Sequence, residues 1–105
     1  MFLNLFSRRD INQGVEEWKK MNGAILLDVR TEEEYNEYHI PGSVNLPLDD
    51  LEAIGELVPD LDTPLFVHCL SGARSAAAVS VLKREGYRQV TDLGGIRAYR
   101  GETVS

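Results

Sequence analysis

A chain of 105 residues can build one packed core and not two, so a single domain over residues 1–105 is expected. A hydrophobic share of 43% with 27% charged residues argues against a disordered or membrane-embedded chain. Seventeen acidic side chains against 11 Lys and Arg give a formal charge of −6, a sign that repels phosphate backbones, so no nucleic-acid partner is expected.

Phe2-Leu3-Asn4-Leu5-Phe6 is apolar but far short of the roughly 18 residues of a membrane span. It is followed, not preceded, by Arg8-Arg9, the reverse of a secretory signal, so a cytoplasmic protein with no membrane partner is expected. The single cysteine, Cys69, cannot form an internal disulfide, which agrees with a reducing compartment.

In chain order, Phe2 to Leu5 reads as a short edge strand. Asp10 or Asn12 can cap a helix whose buried stripe runs through Val15, Trp18 and Met21, stopped by Asn22-Gly23. Ala24 to Leu27, running into Asp28-Val29-Arg30, reads as a strand buried on both faces. Thr31 and Glu34 have the spacing of a capping box, opening a short helix to about Tyr38. Pro41-Gly42 breaks the chain before a short strand from Ser43 to Leu46.

Asp49-Asp50 opens a helix through Leu51, Ile54 and Leu57, ended by Pro59. Leu65 to His68 is a second buried strand. A small-residue loop, Cys69 to Gly72, leads into a helix from about Ala73 to Glu85, with Lys83 and Arg84 in its last turn and Gly86 at its stop. Gln89 to Leu93 reads as the last strand, and Gly94-Gly95 as a turn into a short terminal helix.

Strands alternating with helices at this spacing predict a parallel sheet with helices on both faces. Such sheets bind ligands at the carboxyl ends of their strands. Asp28 to Arg30, Cys69 to Arg74 and Leu93 to Gly95 all fall there, so they should gather around one site.

A lone cysteine is ordinarily a small buried hydrophobe. The surroundings of Cys69 point to chemistry instead. At the end of a strand and the head of a helix, its sulfur lies near backbone N–H groups and the positive end of the helix dipole, which favour a thiolate, a persulfide or a bound oxyanion. Gly72 lets the loop turn N–H groups inward, and Arg74 adds a planar cationic fork suited to an anionic sulfur donor.

Four stretches in order resemble the rhodanese-like family: Asp28-Val29-Arg30 followed by Glu33 or Glu34, Tyr38 to Pro47, Cys69-Leu70-Ser71-Gly72-Ala73-Arg74-Ser75, and Leu93-Gly94-Gly95. The resemblance implies a three-layer α/β/α fold with a parallel five-stranded central sheet. It implies a thiosulfate sulfurtransferase in which Cys69 takes sulfur from a small donor and passes it as a persulfide to cyanide, a small thiol or a protein thiol. Leu70, Ser71, Gly72, Ala73, Arg74 and Ser75 would form the substrate loop, with Arg74 and Ser75 holding the donor. Asp28 and Arg30 would be structural, Arg30 pairing with Glu33 or Glu34. Where the family commonly carries a tryptophan after its paired glycines, this chain has Tyr99.

A second reading is a persulfide relay that docks a partner protein and turns over little on small molecules, since Leu70 is apolar and no basic residue precedes Arg74 in the loop. His68-Cys69 ending in Arg74 also resembles phosphatases and arsenate reductases of related fold. Four residues, not five, separate Cys69 from Arg74, a tighter cradle suited to one sulfur atom.

His68 should point away from the Cys69 sulfur, because strand side chains alternate, and His39 should stabilise its turn. Two separated histidines and one cysteine form no metal cluster, and no cofactor is expected. Trp18 and Tyr87 read as packing residues.

Overall fold

The structure is a computed structural model and describes residues 8–105. The elements are α1 (Ile11–Lys20), β1 (Ile25–Asp28), α2 (Glu32–Glu37), β2 (Val44–Asn45), a 3-10 helix (Leu48–Ala53) running into α3 (Ile54–Leu57), β3 (Leu65–Cys69), α4 (Ala73–Arg84), β4 (Val90–Gly95) and a final 3-10 turn (Ile96–Ala98). Among the described residues the sheet has four strands rather than five, in the order β2-β1-β3-β4, all parallel. The edge strand expected at Phe2–Leu5 lies outside the described residues.

Side-chain alternation on the two central strands splits the core into two layers. Leu65, Val67 and Cys69 of β3 join Leu27 and Val29 in a cluster completed by Leu51, Ile54, Val58, Ala78, Leu82 and Tyr87. Phe66 and Leu26 face the other way, onto Ile11, Val15, Ile40, Leu93 and Ile96. A sheet covered on both sides explains why β1 and β3 are continuous apolar runs. No helix among the described residues is long and apolar enough to cross a membrane.

Local signals explain most boundaries. Asp10 caps α1 by accepting the Gln13 N–H at 3.2 Å. Both halves of the Thr31–Glu34 capping box form: the Glu34 N–H donates to Thr31 Oγ1 at 3.2 Å and the Thr31 N–H to Glu34 Oε1 at 2.8 Å. Trp18 and Tyr87 pack, with Trp18 Nε1–H donating to the Ala24 carbonyl at 3.2 Å and the Tyr87 hydroxyl to the Val58 carbonyl.

Three expectations need correction. Met21 is 41% exposed, because α1 ends at Lys20 and Met21 takes an extended conformation that leaves the buried stripe. Leu57 is 43% exposed, because the segment winds first as a 3-10 helix, whose three-residue turn shifts the face that Leu51 and Ile54 bury. Gly94-Gly95 is strand, not turn. A bulge lets Leu93 slip in as an extra residue, since Val67 pairs with Asp92 but His68 with Gly94 and Cys69 with Gly95. The expected terminal helix is accordingly only the Ile96–Ala98 turn.

Candidate active site

The three stretches expected to gather do so at the carboxyl edge of the sheet. Cys69 ends β3, Gly72 immediately precedes α4, and Gly95 lies beside them on β4. Gly72 has φ +117°, a conformation that suits glycine and lets the tight loop lead into α4, and its N–H donates to the Cys69 sulfur at 3.0 Å. Glycine has no side chain to cap α4, so the sulfur sits beside a 12-residue helix whose first turn lacks a side-chain cap. Cys69 itself is 1% exposed and belongs to the larger core cluster.

The loop has an inner and an outer face. While the Gly72 amide points in, the Leu70 carbonyl points out and accepts the Arg97 N–H at 3.2 Å, and the Gly72 carbonyl accepts from Arg8 Nη2 at 2.9 Å. Gly95 lies directly under the loop: a Cβ there would fall 2.3 Å from the Leu70 oxygen and 2.5 Å from Ser71 Cα, so only glycine fits. On the outer side an open cleft of about 440 Å3 is lined by Arg8, Arg97, Ser71 and Gly94 among others, but not by Cys69.

The arginines do not pair as expected. Arg30 turns away from Glu33 and Glu34 and grips Asp28, with Nη2 donating to Oδ2 at 2.7 Å and Nε to Oδ1 at 3.0 Å; Arg30 Nη2 also donates to the Tyr38 carbonyl at 2.8 Å. Both residues are wholly buried. The physical reason is the bend after β1: it folds Arg30 back on the carboxylate that closes the strand, so that the Arg30 backbone N–H also donates to Asp28 Oδ1 at 3.0 Å. Asn45 ties β2 to the same corner by donating to the carbonyls of Asp28 and Arg30, each at 2.9 Å.

Glu34 instead takes Arg74. Nη1 donates to Oε1 at 2.7 Å and Nη2 to Oε2 at 2.9 Å, a bidentate fork across 40 residues of sequence. These bonds, helped by those from Thr31, hold the Glu34 carboxyl down at about 2 against partial burial, and the same pair raises the Arg74 pKa. Arg74, expected to offer a free fork to a donor, is therefore engaged by a carboxylate.

Ser75 was expected to help hold the donor, but it is buried and its hydroxyl faces β4. It lies 2.8 Å from Asp92 Oδ1, with the Gly72 carbonyl at 3.0 Å. Asp92 also accepts the Gly94 N–H at 2.9 Å, a short turn made by its own side chain. Leu70 packs on the α1-side cluster, while Ser71 and Ala73 are exposed.

His68 is fully buried. Its Nδ1 lies 3.2 Å from the Cys69 carbonyl, and Nε2 has no hydrogen-bond partner, with Asp28 Oδ2 3.7 Å away. Burial lowers its pKa, only partly opposed by Asp28, so the ring is neutral at pH 7. It is not placed to take the Cys69 proton. His39 does stabilise its turn, stacking on Tyr35 at 3.8 Å with Nδ1 2.8 Å from the Tyr35 carbonyl. Among the described residues no group of three His, Cys, Asp or Glu gathers to hold a metal ion.

Sequence reasoning missed Asp92 and Arg8 as supports of the loop. Asp92, two residues before Gly94, carried a turn signal; Arg8 carried none.

Known proteins bear directly on this arrangement. The chain is 36% identical over 72 residues to the thiosulfate sulfurtransferase PspE of Escherichia coli, covering 68% of this chain and 69% of that one. It is 37% identical over 79 residues to the putative sulfur carrier protein YrkF of Bacillus subtilis, covering 74% of this chain but 42% of that longer one. A solved structure of a rhodanese with anions from E. coli superposes with a TM-score of 0.73 at 32% identity, covering 78% of this chain and 98% of that one. The Rhodanese-like domain matches residues 12–102, nearly the whole chain, and the protein belongs to that family.

Proposed function

We propose that this protein is a sulfurtransferase that carries sulfane sulfur as a persulfide on Cys69. The observation that carries the reading is the Gly72 N–H aimed at the Cys69 sulfur from 3.0 Å, at the head of α4. An amide donor and a helix dipole stabilise negative sulfur, whether thiolate or terminal persulfide. Relatives of about 36% identity are named thiosulfate sulfurtransferases, which supports the same class of reaction.

The Cys69 thiolate attacks the outer sulfur of a donor such as thiosulfate. A sulfur–sulfur bond forms to Cys69, the donor's sulfur–sulfur bond breaks, and sulfite leaves with the electron pair. A thiophilic acceptor, cyanide or a thiolate, then attacks the outer persulfide sulfur and restores the thiolate. Because Cys69 is 1% exposed, each half-reaction needs the loop or its covering side chains to move aside. The whole of residues 1–105 acts as one domain, and a reducing, cytoplasmic setting keeps its cysteine available.

The resemblance to a putative sulfur carrier protein supports, as a second reading, a relay in which the acceptor or donor is a protein thiol.

The test is intact mass after incubation with thiosulfate. The wild type should gain one sulfur atom, about 32 Da, and Cys69→Ser none. A wild type that gains no mass from thiosulfate or from a protein persulfide, or a Cys69→Ser variant that gains it equally, overturns the proposal.

A further inference from the structure

We infer that Glu34 sets the donor preference of the site by neutralising the only cation of the catalytic loop; the inference rests on the sulfurtransferase reading above. Between Cys69 and Arg74 the loop is uncharged: Leu70, Ser71, Gly72 and Ala73. Arg74 is thus the one charge the loop can offer a donor, and both its terminal nitrogens lie on the two oxygens of Glu34. Glu34 is ionised at any working pH, since its pKa is held at about 2. The pair therefore presents no net charge.

The other cations nearby lie apart from the inner face of the loop, with Arg8, Arg9 and Arg97 on the outer cleft, which Cys69 does not line. Arg30 is buried against Asp28. Arg8 sits on the outer face of the loop, on the Gly72 carbonyl and near Asp92 at 3.5 Å. Glu32 and Glu33, exposed in the same first turn of α2 as Glu34, add negative charge. From the loop itself a dianion such as thiosulfate gains no net attraction, and a donor with less charge loses less by that. Glu34 is a specificity residue that acts through Arg74.

Glu34→Gln isolates this effect, because glutamine satisfies the capping box as glutamate does and leaves α2 closed. Two small donors differ by one charge at the same reacting sulfur: thiosulfate, a dianion, and methanethiosulfonate, a monoanion that leaves as methanesulfinate. With Arg74 released, Glu34→Gln should lower KM for thiosulfate about fivefold at low salt and change KM for methanethiosulfonate less than about twofold. The gain should fade in high salt. The double variant Glu34→Gln/Arg74→Gln, which has no cation to release, should return to the wild-type ratio of the two donors.

An unchanged donor ratio in Glu34→Gln overturns the inference, as does a gain that survives in the double variant. Failure of the wild type to load sulfur from either donor or from a protein persulfide would instead overturn the sulfurtransferase reading itself, so the two failures are distinct.

Discussion

Two arginine–carboxylate pairs stand at the carboxyl edge of the sheet, and they differ in almost everything but chemistry. Asp28–Arg30 joins the last residue of β1 to the bend two residues on and is wholly buried, with a backbone carbonyl and Asn45 filling in around it. Glu34–Arg74 joins α2 to the head of α4 and keeps a quarter to a third of its side-chain surface in water. The first pair cannot open without stranding a charge in the core. The second can open into solvent at modest cost, so it can respond to what binds. One pair is part of the frame, and the other is part of the mouth.

Arg30→Met would strike the frame hardest. It leaves the Asp28 carboxylate buried and unpaired, and should cost about 3–5 kcal/mol of stability, read as a shift of the urea midpoint at unchanged slope. A loss below about 1 kcal/mol would show that this corner is hydrated and that the contrast with the mouth is false.

His68 sits on the same frame, beside Asp28, and its neutral state ties stability to pH. Its folded pKa lies below the 6.5 of a free histidine because of burial, so the unfolded chain takes up a proton before the folded one does. Stability should therefore fall as pH drops below 6.5, at up to about 1.4 kcal/mol per pH unit. His68→Asn should flatten that slope in denaturation series at pH 7.5 and 5.5. An equal slope in both proteins would mean that His68 is charged in the fold.

The mouth should matter least to stability. Glu34→Gln should cost about 0.5–1 kcal/mol at neutral pH, since the pair is partly screened by water. The carboxyl is held at about 2 against the ordinary 4.5, so its contribution is present above pH 4.5 and is lost as pH falls towards 2. The melting temperatures of wild type and variant should converge over that window. A gap that persisted at pH 2 would assign the loss to packing rather than charge.

Features governed by neighbours in sequence were legible before the fold. The Thr31–Glu34 capping box, the two buried strands and the Cys69–Gly72 loop between β3 and α4 all follow from short-range chemistry. The partners of Arg30 and Arg74 were not. Spacing placed Glu33 and Glu34 within reach of Arg30, but reach is not direction, and the bend after β1 folds Arg30 back on Asp28 while α4 delivers Arg74 from 40 residues away. The same limit hid the bulge that draws Gly94 and Gly95 into β4, because an extra residue in one strand is visible only against its partner. Ser75 looked like a loop hydroxyl, but helix geometry turns it back towards Asp92.

In the reaction proposed above Cys69 is the attacking group, and it is also a member of the close-packed cluster under α4. A sulfur atom delivered to it is also a volume inserted into a filled space, and interiors accommodate such additions only by shifting their neighbours. Loaded and unloaded protein should therefore differ in shape at the loop.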